Sequence, residues 1–202
     1  LNVVASAVGS LSNPTRLSNT FKSVKGLKVK NETISSYLDC FIDAYIISKS
    51  YRYDIKGRSY IDTPLKYYFT DIGLRNARLN FRQQEENHIM ENIIYNELIA
   101  REFNVDVGVV EYNHKDDSGK KVRTQLEVDF VVNKTEKRYY IQSALTVSDE
   151  DKRRQEVNSL NKIDDSYAKI VVVRDNILPW RDEKGVLYIN IEDFLLEKIN
   201  EL

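Results

Sequence analysis

The stretch Glu127–Ala144 reads EVDFVVNKTEKRYYIQSA and predicts two β-strands joined by a short turn. Successive side chains of a strand point to opposite faces of its sheet. Before the turn, alternation places Glu127 and Asp129 on one face, and after the turn it places Gln142 and Ala144 on one face. The apolar residues of the first strand are predicted to share the other face: Leu126, Val128, Phe130 and Val132. Polar groups therefore interrupt two otherwise apolar strands.

Apolar periodicity on both sides of this stretch predicts the order helix, three strands, helix, strand over residues 83–202. Such a mixture predicts an α+β or α/β domain with a mixed sheet. The predicted helices are Glu85–Glu102, Ser148–Lys162 and Glu192–Ile199. The predicted strands are Val105–Tyr112, Gln125–Val132, Arg138–Leu145, Ile170–Val173 and Leu187–Ile191. The predicted connections between the first three strands are the polar loop Asn113–Thr124 and the turn Asn133–Lys137.

Residues 1–82 predict a separate domain, in which three helices precede a hairpin. This is the order of a winged helix-turn-helix, whose third helix would be the DNA-recognition helix. The third helix is predicted to begin near Asn31, because Asn is a favourable N-cap residue. The predicted elements are helices within residues 1–10, at Thr15–Val24 and from Asn31 onward, then strands at Ile46–Tyr53 and Ser59–Ile61.

The charge is divided unequally between these two domains. Residues 1–82 hold 13 Lys and Arg against 6 Asp and Glu, a balance of +7, and residues 83–202 hold 17 against 25, a balance of -8. The basic half is therefore the half expected to contact phosphate. Its candidate DNA-contacting residues are Lys28, Lys30, Asn31, Thr33, Ser35, Ser36, Lys56 and Arg58. The candidate recognition helix has no Arg and carries Glu32 and Asp39, so a protein-binding role is the alternative.

A carboxylate is predicted on the inward face of the long helix of the acidic half. At 100° per residue from Ile89, Glu97 falls near 80°, inside the apolar arc that ends at Leu98, near 180°. An inward carboxylate needs a partner, a hydrogen bond or a chemical role. A salt-bridged or rim-exposed glutamate is the alternative to a functional one.

The order of elements in residues 83–202 resembles the restriction-endonuclease-like core of the PD-(D/E)xK superfamily. In that family an Asp on one strand is followed on the next strand by Glu or Gln, any residue, and Lys, often with a Glu from the first helix. On this resemblance Asp129 matches the first acid, Gln142 the second position, and Glu97 the helix carboxylate. Ala144 stands where the family has Lys.

The chain also resembles the C-terminal region of a family of predicted bacterial AAA+ ATPases, in which an ATPase core precedes a winged helix and this nuclease-like domain. The resemblance covers both halves and includes MENIIYNELIARE, QLEVDFVV, RYYIQSAL and IEDFLL, in the expected order. It implies that an upstream AAA+ module of the same protein is a partner and that ATP binds there. A phosphate loop is absent from this chain, because its Gly119-Lys120 pair has His114 in place of the first Gly and Lys121 in place of Ser or Thr.

The resemblance also implies that Glu97 and Asp129 would hold Mg²⁺, with the Gln142 amide oxygen as a weaker ligand. Ala144 cannot position water or offset charge as the family's lysine does, and removing one such stabiliser costs about a hundredfold to a thousandfold in rate. The site is therefore predicted to be degenerate, and cleavage weak or lost.

Composition excludes several other classes of protein. The chain has no apolar run of about 18 residues that would span a membrane, and its start lacks the pattern of a signal peptide. A single cysteine, Cys40, excludes an internal disulfide framework and favours the cytoplasm. With two histidines, a Cys/His zinc site is not expected. The chain begins at Leu1 rather than Met, which indicates a piece of a longer protein.

Three functions remain open from the sequence. The first is a DNA-binding and scaffolding tail of an AAA+ ATPase, with a winged helix and a degenerate nuclease-like domain. The second is an active Mg²⁺-dependent DNA nuclease built on Glu97, Asp129 and Gln142. The third is a purely protein-binding module, favoured by the acidic balance of residues 83–202, since like charges repel phosphate.

Overall fold

The computed structural model describes residues 1–115 and 118–196, in which helices and strands are mixed. The helices are α1 (Asn2–Ala5), α2 (Pro14–Lys25), α3 (Asn31–Asp43), α4 (Ile72–Arg78), α5 (Glu86–Ala100), α6 (Glu150–Glu156) and α7 (Ile191–Leu196), with a 3-10 turn at Leu160–Lys162. The strands are β1 (Ile47–Asp54), β2 (Ser59–Phe69), β3 (Asn104–Lys115), β4 (Lys121–Lys134), β5 (Lys137–Ala144), β6 (Ala168–Val173), β7 (Trp180–Arg181) and β8 (Leu187–Asn190). The mixed α and β class predicted from the sequence is confirmed.

The eight strands form one mixed sheet in the order β2-β1-β3-β4-β5-β6-β8-β7. Strands β3, β4 and β5 are antiparallel neighbours, with five residues of the chain between β3 and β4 and two between β4 and β5. Strand β5 pairs in parallel with β6, and the crossover between them carries α6. Strand β6 pairs in parallel with β8, and β1 pairs in parallel with β3.

The chain packs as two compact units, residues 1–51 with 62–96, and residues 52–61 with 97 onward. The division predicted at residue 82 lies inside the first unit. Residues 86–96 of α5 belong to this unit, where the buried side chain of Asn92 bonds to the backbone of Phe69. The tip of the β1–β2 hairpin belongs to the second unit, where Arg52 to Asp54 pair with β3.

Capping residues define the two central helices of the first unit. The Asn13 side chain accepts a hydrogen bond from Arg16 N at 2.7 Å, and Pro14 occupies the first turn of α2. Gly26 ends α2 in the left-handed conformation, with φ of 66°. Helix α3 starts at Asn31, so the predicted N-cap is wrong by one residue. The buried apolar residues of this unit come from several elements and include Val4, Leu17, Ile34, Leu38, Tyr68 and Ile94.

The second unit has an apolar core in which strands of its sheet pack against Val157, directly after α6, and Leu160 in the 3-10 turn. This core includes Val110, Val128, Val131, Tyr140, Ala144, Val157, Leu160, Val171 and Tyr188. All four residues of the run Ile170–Val173 are buried in β6, between strands β5 and β8, which explains why the run contains no polar residue.

Strand β4 contains a β-bulge, which the alternation of its sequence does not reveal. Asp106 pairs with Val131 and Gly108 with Val128, so β4 has one extra residue between these two pairs. Val128 and Val131 consequently lie in the same core, although strict alternation places them on opposite faces. The single apolar face predicted for Leu126, Val128, Phe130 and Val132 is therefore wrong, because the bulge changes the alternation after Val128.

Several predicted boundaries also differ from the structure. The helix predicted within residues 1–10 covers four residues, because the backbone turns at Gly9 and Ser12 then bonds to Leu65. The second hairpin strand continues to Phe69 rather than ending at Ile61. The predicted loop Asn113–Thr124 is partly strand, since β3 reaches Lys115 and β4 begins at Lys121, while residues 116 and 117 lie outside the described residues.

The charged helix predicted at Ser148–Lys162 is divided into α6 and the 3-10 turn. Helix α4 was not predicted. The end of the predicted helix Glu192–Ile199 lies outside the described residues beyond Leu196. In the described ranges, no helix has the length and apolar character needed to cross a membrane.

Candidate functional site

The structure brings Asp129 and Gln142 together on the neighbouring strands β4 and β5. The Asp129 carboxylate accepts a hydrogen bond from Ser143 N at 2.8 Å, and Asp129 N lies 3.4 Å from Gln142 Oε1. Asp129 lies in the β4 bulge and is 8% exposed. One carboxylate oxygen therefore bonds to the backbone of β5, which gives Asp129 a role in joining the two strands.

Glu97 is oriented by Arg101, one turn further along the chain. Arg101 Nε donates to Glu97 Oε1 at 2.6 Å, and the Glu97 side chain is 30% exposed. Arg101 Nη2 also donates to the carbonyl oxygens of Phe194 and Leu195, near the end of α7. The contacts of Glu97 thus match the salt-bridged alternative, in which its carboxylate positions an arginine that caps a helix.

The residue at the position of the family's lysine is part of the apolar core. Ala144 is 3% exposed and pairs with Val173 of β6. A lysine ammonium at this place would have to leave the core to reach water or the Asp129 carboxylate. Ala144 itself has no cationic group that could replace the lysine of the family.

A divalent cation such as Mg²⁺ requires several oxygen ligands around it. Within the described residues, no group of three or more His, Cys, Asp and Glu is placed to hold a metal. Asp129 and Glu97 both have hydrogen-bond partners within the protein, and Gln142 offers a neutral amide. These residues therefore do not fit the Mg²⁺ site that the resemblance implies.

The candidate DNA-contacting residues of the first unit lie around the turn between α2 and α3. Lys28, Lys30, Thr33 and Ser36 are exposed, Asn31 is exposed, and Ser35 is half-buried. Two of these side chains already have partners in the fold. Asn31 donates to Thr15 Oγ1 at 3.0 Å, and Ser36 Oγ donates to Glu32 O at 3.0 Å.

The other two candidates, Lys56 and Arg58, belong to the second unit. They lie at the exposed tip of the β1–β2 hairpin, where the Asp54 carboxylate accepts hydrogen bonds from Lys56 N and Gly57 N. Ile55 N also donates to Val109 O of β3 at 3.0 Å. The tip is consequently an extension of the second unit's sheet rather than a free wing.

A buried polar network in the first unit was not predicted. Lys66 Nζ and Tyr68 Oη donate to Glu91 Oε1 at 2.8 and 2.6 Å, and the Lys66 and Glu91 side chains are 3% and 9% exposed. His88 Nδ1 lies 3.9 Å from Glu91 Oε2, an ion-pair distance too long for a hydrogen bond. The sequence signal was weak, because the helical angle of Glu91 lies off the centre of the apolar arc and Lys66 adjoins an apolar run.

Electrostatics in this network favour the charged forms. Burial raises the pKa of the Glu91 carboxyl, but His88, Lys66 and Tyr68 together lower it below its ordinary value. The interaction with Glu91 raises the pKa of His88, and burial only partly opposes it. The backbone of Gly9 lies close to this network, since a Cβ at Gly9 would be 3.0 Å from His88 Nδ1 and 3.1 Å from Glu91 Oε2. The network is therefore enclosed by backbone as well as by side chains.

A second unpredicted feature is a polar cavity in the second unit, about 470 Å³ in volume, near Arg138. Its sequence signal is dispersed, because Tyr53, Arg58, Arg138 and Tyr167 come from three separate segments. No local motif joins them.

Comparison with known proteins finds similarity to a family model over part of the chain and to one longer relative, neither of which has an assigned activity. Residues 1–85 match a family model described as a domain of unknown function, DUF8612. An uncharacterised protein of Haemophilus influenzae is 31% identical over 194 residues, which cover 96% of this chain and 44% of the relative. The chain thus spans less than half the length of that relative. No solved structure matches the chain.

Proposed function

We propose that this chain is a DNA-binding and scaffolding module whose second unit is nuclease-like but has lost cleavage. The observation that carries the DNA-binding part is a cluster of exposed lysines around the turn that precedes α3. Lys22 and Lys25 lie in the last turn of α2, and Lys28 and Lys30 lie between Gly26 and α3. Four exposed ammonium groups beside one helix start suit the phosphate backbone, which dominates sequence-independent DNA binding.

The order of elements supports a winged-helix assignment for the first unit. Helices α1, α2 and α3 precede the β1–β2 hairpin, as in winged helix-turn-helix domains. In this proposal α3 is the helix that contacts DNA, and the lysine cluster contacts phosphates near the N-terminus of α3.

The nuclease-like assignment is supported by the order α5, β3, β4, β5, α6, β6 and by the strand pairing. Three antiparallel strands are followed by a crossover to a parallel fourth, as the resemblance to PD-(D/E)xK proteins implies. The engagement of Glu97 by Arg101 and the burial of Ala144 support loss of cleavage. The second unit would then serve in scaffolding.

An activity of the whole protein is part of the same proposal. The Haemophilus influenzae relative is more than twice as long as its matched region, which leaves room for a further module. On the resemblance stated above, that module would be an AAA+ ATPase that binds ATP and acts with this chain as its tail. The single exposed cysteine, Cys40, suits a cytoplasmic protein.

The DNA-binding part is tested by fluorescence anisotropy with a labelled duplex, titrated at several salt concentrations. The double variant Lys28→Glu, Lys30→Glu should weaken binding for every sequence tried and should lower the slope of log K against log salt by about 1.8, that is about 0.9 per phosphate contact. The double variant Lys137→Glu, Lys184→Glu, at two exposed lysines of the second unit, is the charge-matched control and should leave the slope unchanged. Absence of salt-sensitive binding at low ionic strength would exclude the DNA-binding part.

The second candidate function is a protein-binding module, favoured by the balance of -8 in residues 83–202. Pull-downs with and without nuclease treatment separate the two functions. A partner retained after nuclease treatment, together with no duplex binding, favours this second function.

The cleavage part is tested with plasmid DNA and Mg²⁺ or Mn²⁺. We expect the wild-type chain and Asp129→Ala to give the same background nicking. Metal-dependent nicking that Asp129→Ala abolishes would instead support an active nuclease.

A further inference from the structure

The cavity near Arg138 lies between the hairpin tip, the start of β5 and the segment that leads into β6. Its volume of about 470 Å³ is within the range of about 300–1,000 Å³ found for small-molecule sites. The residues that supply its chemistry are Tyr53, Lys56, Arg58, Arg138, Asp165 and Tyr167. All of them belong to the second unit, and none of them is part of the nuclease-like set Glu97, Asp129 and Gln142.

Arg138 is held in one orientation at the cavity wall. Its guanidinium carbon lies 5.7 Å from the centre of the Tyr53 ring and 5.2 Å from the centre of the Tyr167 ring. Its Nε donates to Asn133 Oδ1 at 2.7 Å. Contacts with two rings and one fixed hydrogen bond reduce the entropy lost on binding, and a guanidinium edge suits the oxygens of a phosphate.

Two further cations line the same cavity from the hairpin tip. Lys56 and Arg58 are exposed, and no hydrogen bond or ion pair of their side chains occurs with residues 1–115 or 118–196. The turn that carries them is ordered by the Asp54 carboxylate, which accepts hydrogen bonds from Lys56 N at 3.1 Å and Gly57 N at 2.9 Å. The cavity therefore has three cationic side chains on a shaped wall.

The acidic groups of the cavity offset these cations only in part. Asp165 accepts hydrogen bonds from Tyr140 Oη at 2.5 Å and from Tyr167 N at 3.2 Å, so its carboxylate is used within the fold. Asp164 is exposed and is the remaining acid. The cavity thus has three cationic side chains and two carboxylates, one of which already accepts two hydrogen bonds from the protein. The excess of positive charge favours an anionic ligand.

Aromatic rings supply the second element of recognition. Tyr167 is 43% exposed, and its contact with Arg138 leaves part of the residue open to solvent. A planar base stacks favourably on an exposed tyrosine ring, with a gain of about 1–3 kcal/mol per base. An anion-binding wall beside a stacking surface suits a ligand that combines a phosphate with a planar ring.

We propose that this cavity binds a nucleoside phosphate, with the phosphate on Arg138, Lys56 and Arg58 and the base against Tyr167. The nucleoside phosphate comes either from a free nucleotide or from the phosphorylated end of a nucleic acid strand. The site uses Lys56 and Arg58, the two DNA-contacting candidates that belong to the second unit. It uses none of the lysines around the α2–α3 turn, so it is separate from DNA binding by the first unit.

Isothermal titration calorimetry on the whole chain tests the site with AMP, adenosine, inorganic phosphate, and dT10 with or without a 5′-phosphate. We expect AMP to bind at least about tenfold more tightly than adenosine or phosphate alone, since each alone offers one of the two elements. Tighter binding of 5′-phosphorylated than of 5′-hydroxyl dT10, and tighter than AMP, identifies a strand end as the source. AMP binding at least as tightly as the phosphorylated strand identifies a free nucleotide.

Variants locate the binding within the cavity. Lys56→Glu with Arg58→Glu should weaken AMP binding by about tenfold or more, and Lys184→Glu should leave it unchanged. Tyr167→Leu should weaken AMP by about tenfold but leave inorganic phosphate unaffected, whereas Tyr167→Phe, which keeps the ring, should bind AMP as the wild type does.

The proposal is overturned if neither AMP nor phosphorylated dT10 binds at about 10 mM, or if the cavity variants bind as the wild type does. Equal binding of AMP and inorganic phosphate overturns the aromatic part. The Lys28→Glu, Lys30→Glu variant should retain AMP binding, so failure of the DNA-binding proposal and failure of this site are distinguishable.

Discussion

Replacement of Glu91 by alanine should destabilise the protein strongly, because Glu91 is the counter-ion of a buried lysine. Lys66 Nζ lies 2.8 Å from Glu91 Oε1, and their side chains are 3% and 9% exposed. Removing one member of a buried ion pair costs about 3–5 kcal/mol, since the remaining buried charge loses a partner at hydrogen-bond distance. An exposed pair would cost about 0–1 kcal/mol. Tyr68 also loses its acceptor at 2.6 Å, which places the expected loss toward the upper end.

The assay is thermal unfolding followed by far-ultraviolet circular dichroism at pH 7. For a chain of this size, about 3–5 kcal/mol corresponds to a fall in Tm of about 6–20 °C. Asn87→Ala, at an exposed site on the same helix, is the control and should change Tm little. A fall below about 2 °C for Glu91→Ala would refute the reasoning, because it would mean that the Lys66 charge does not depend on Glu91.

The double variant Lys66→Met, Glu91→Leu separates charge from packing. It removes both charges and fills similar volume, so it should recover most of the stability that Glu91→Ala loses. If the double variant is as unstable as Glu91→Ala, the loss comes from packing or from Tyr68 rather than from the ion pair.

Three further predictions concern single side chains. The interaction with Glu91 raises the pKa of His88 above its ordinary value of 6.5, so the stability it contributes is present below pH 6.5 and is lost as pH rises through the folded pKa. The Tm difference between wild type and His88→Gln should therefore be larger at pH 6 than at pH 8.5, and an equal difference would contradict this. Burial raises the pKa of Asp106 above 3.8, which makes its ionised form unfavourable in the fold. Asp106→Asn should therefore raise Tm at pH 7, and this gain should disappear below about pH 3.8. A lower Tm of Asp106→Asn at pH 7 would refute this prediction. Asn92→Ala removes two hydrogen bonds of 2.8 Å to the backbone of Phe69, and urea unfolding should show a loss of about 2–5 kcal/mol against less than about 0.5 kcal/mol for Asn87→Ala.

Much of the fold of the second unit could be predicted, because the patterns that indicate its helices and strands lie within short stretches of sequence. A strand reveals itself by alternation and a helix by a period of 3.6 residues, so the order from α5 to β6 follows from the pattern. The β4 bulge could not be predicted in this way. One extra residue between the pairs Asp106–Val131 and Gly108–Val128 changes which side chains share a face, but leaves the composition of the strand unchanged.

The candidate site was predicted less completely. Alternation and resemblance together indicated Asp129 and Gln142, which the structure places on adjacent strands. The helical angle of Glu97 indicated an inward carboxylate, but it did not reveal Arg101 as a partner at 2.6 Å. A cationic partner four residues further along the chain can bind the carboxylate as a metal would, and a helical angle cannot distinguish these two partners.

The sequence by itself determined the mixed α and β class, the three helices before the hairpin, the helix–strand order of the acidic half and the uneven distribution of charge. These properties depend on neighbours within a few residues, which periodicity and composition record. Tertiary structure alone decided that the hairpin tip pairs with β3, that Lys66 and Glu91 share a buried pair, and that Arg138 lies between Tyr53 and Tyr167. These contacts join residues about 25 to 85 positions apart, and they form because burial and strand pairing bring together distant segments that carry no common local pattern.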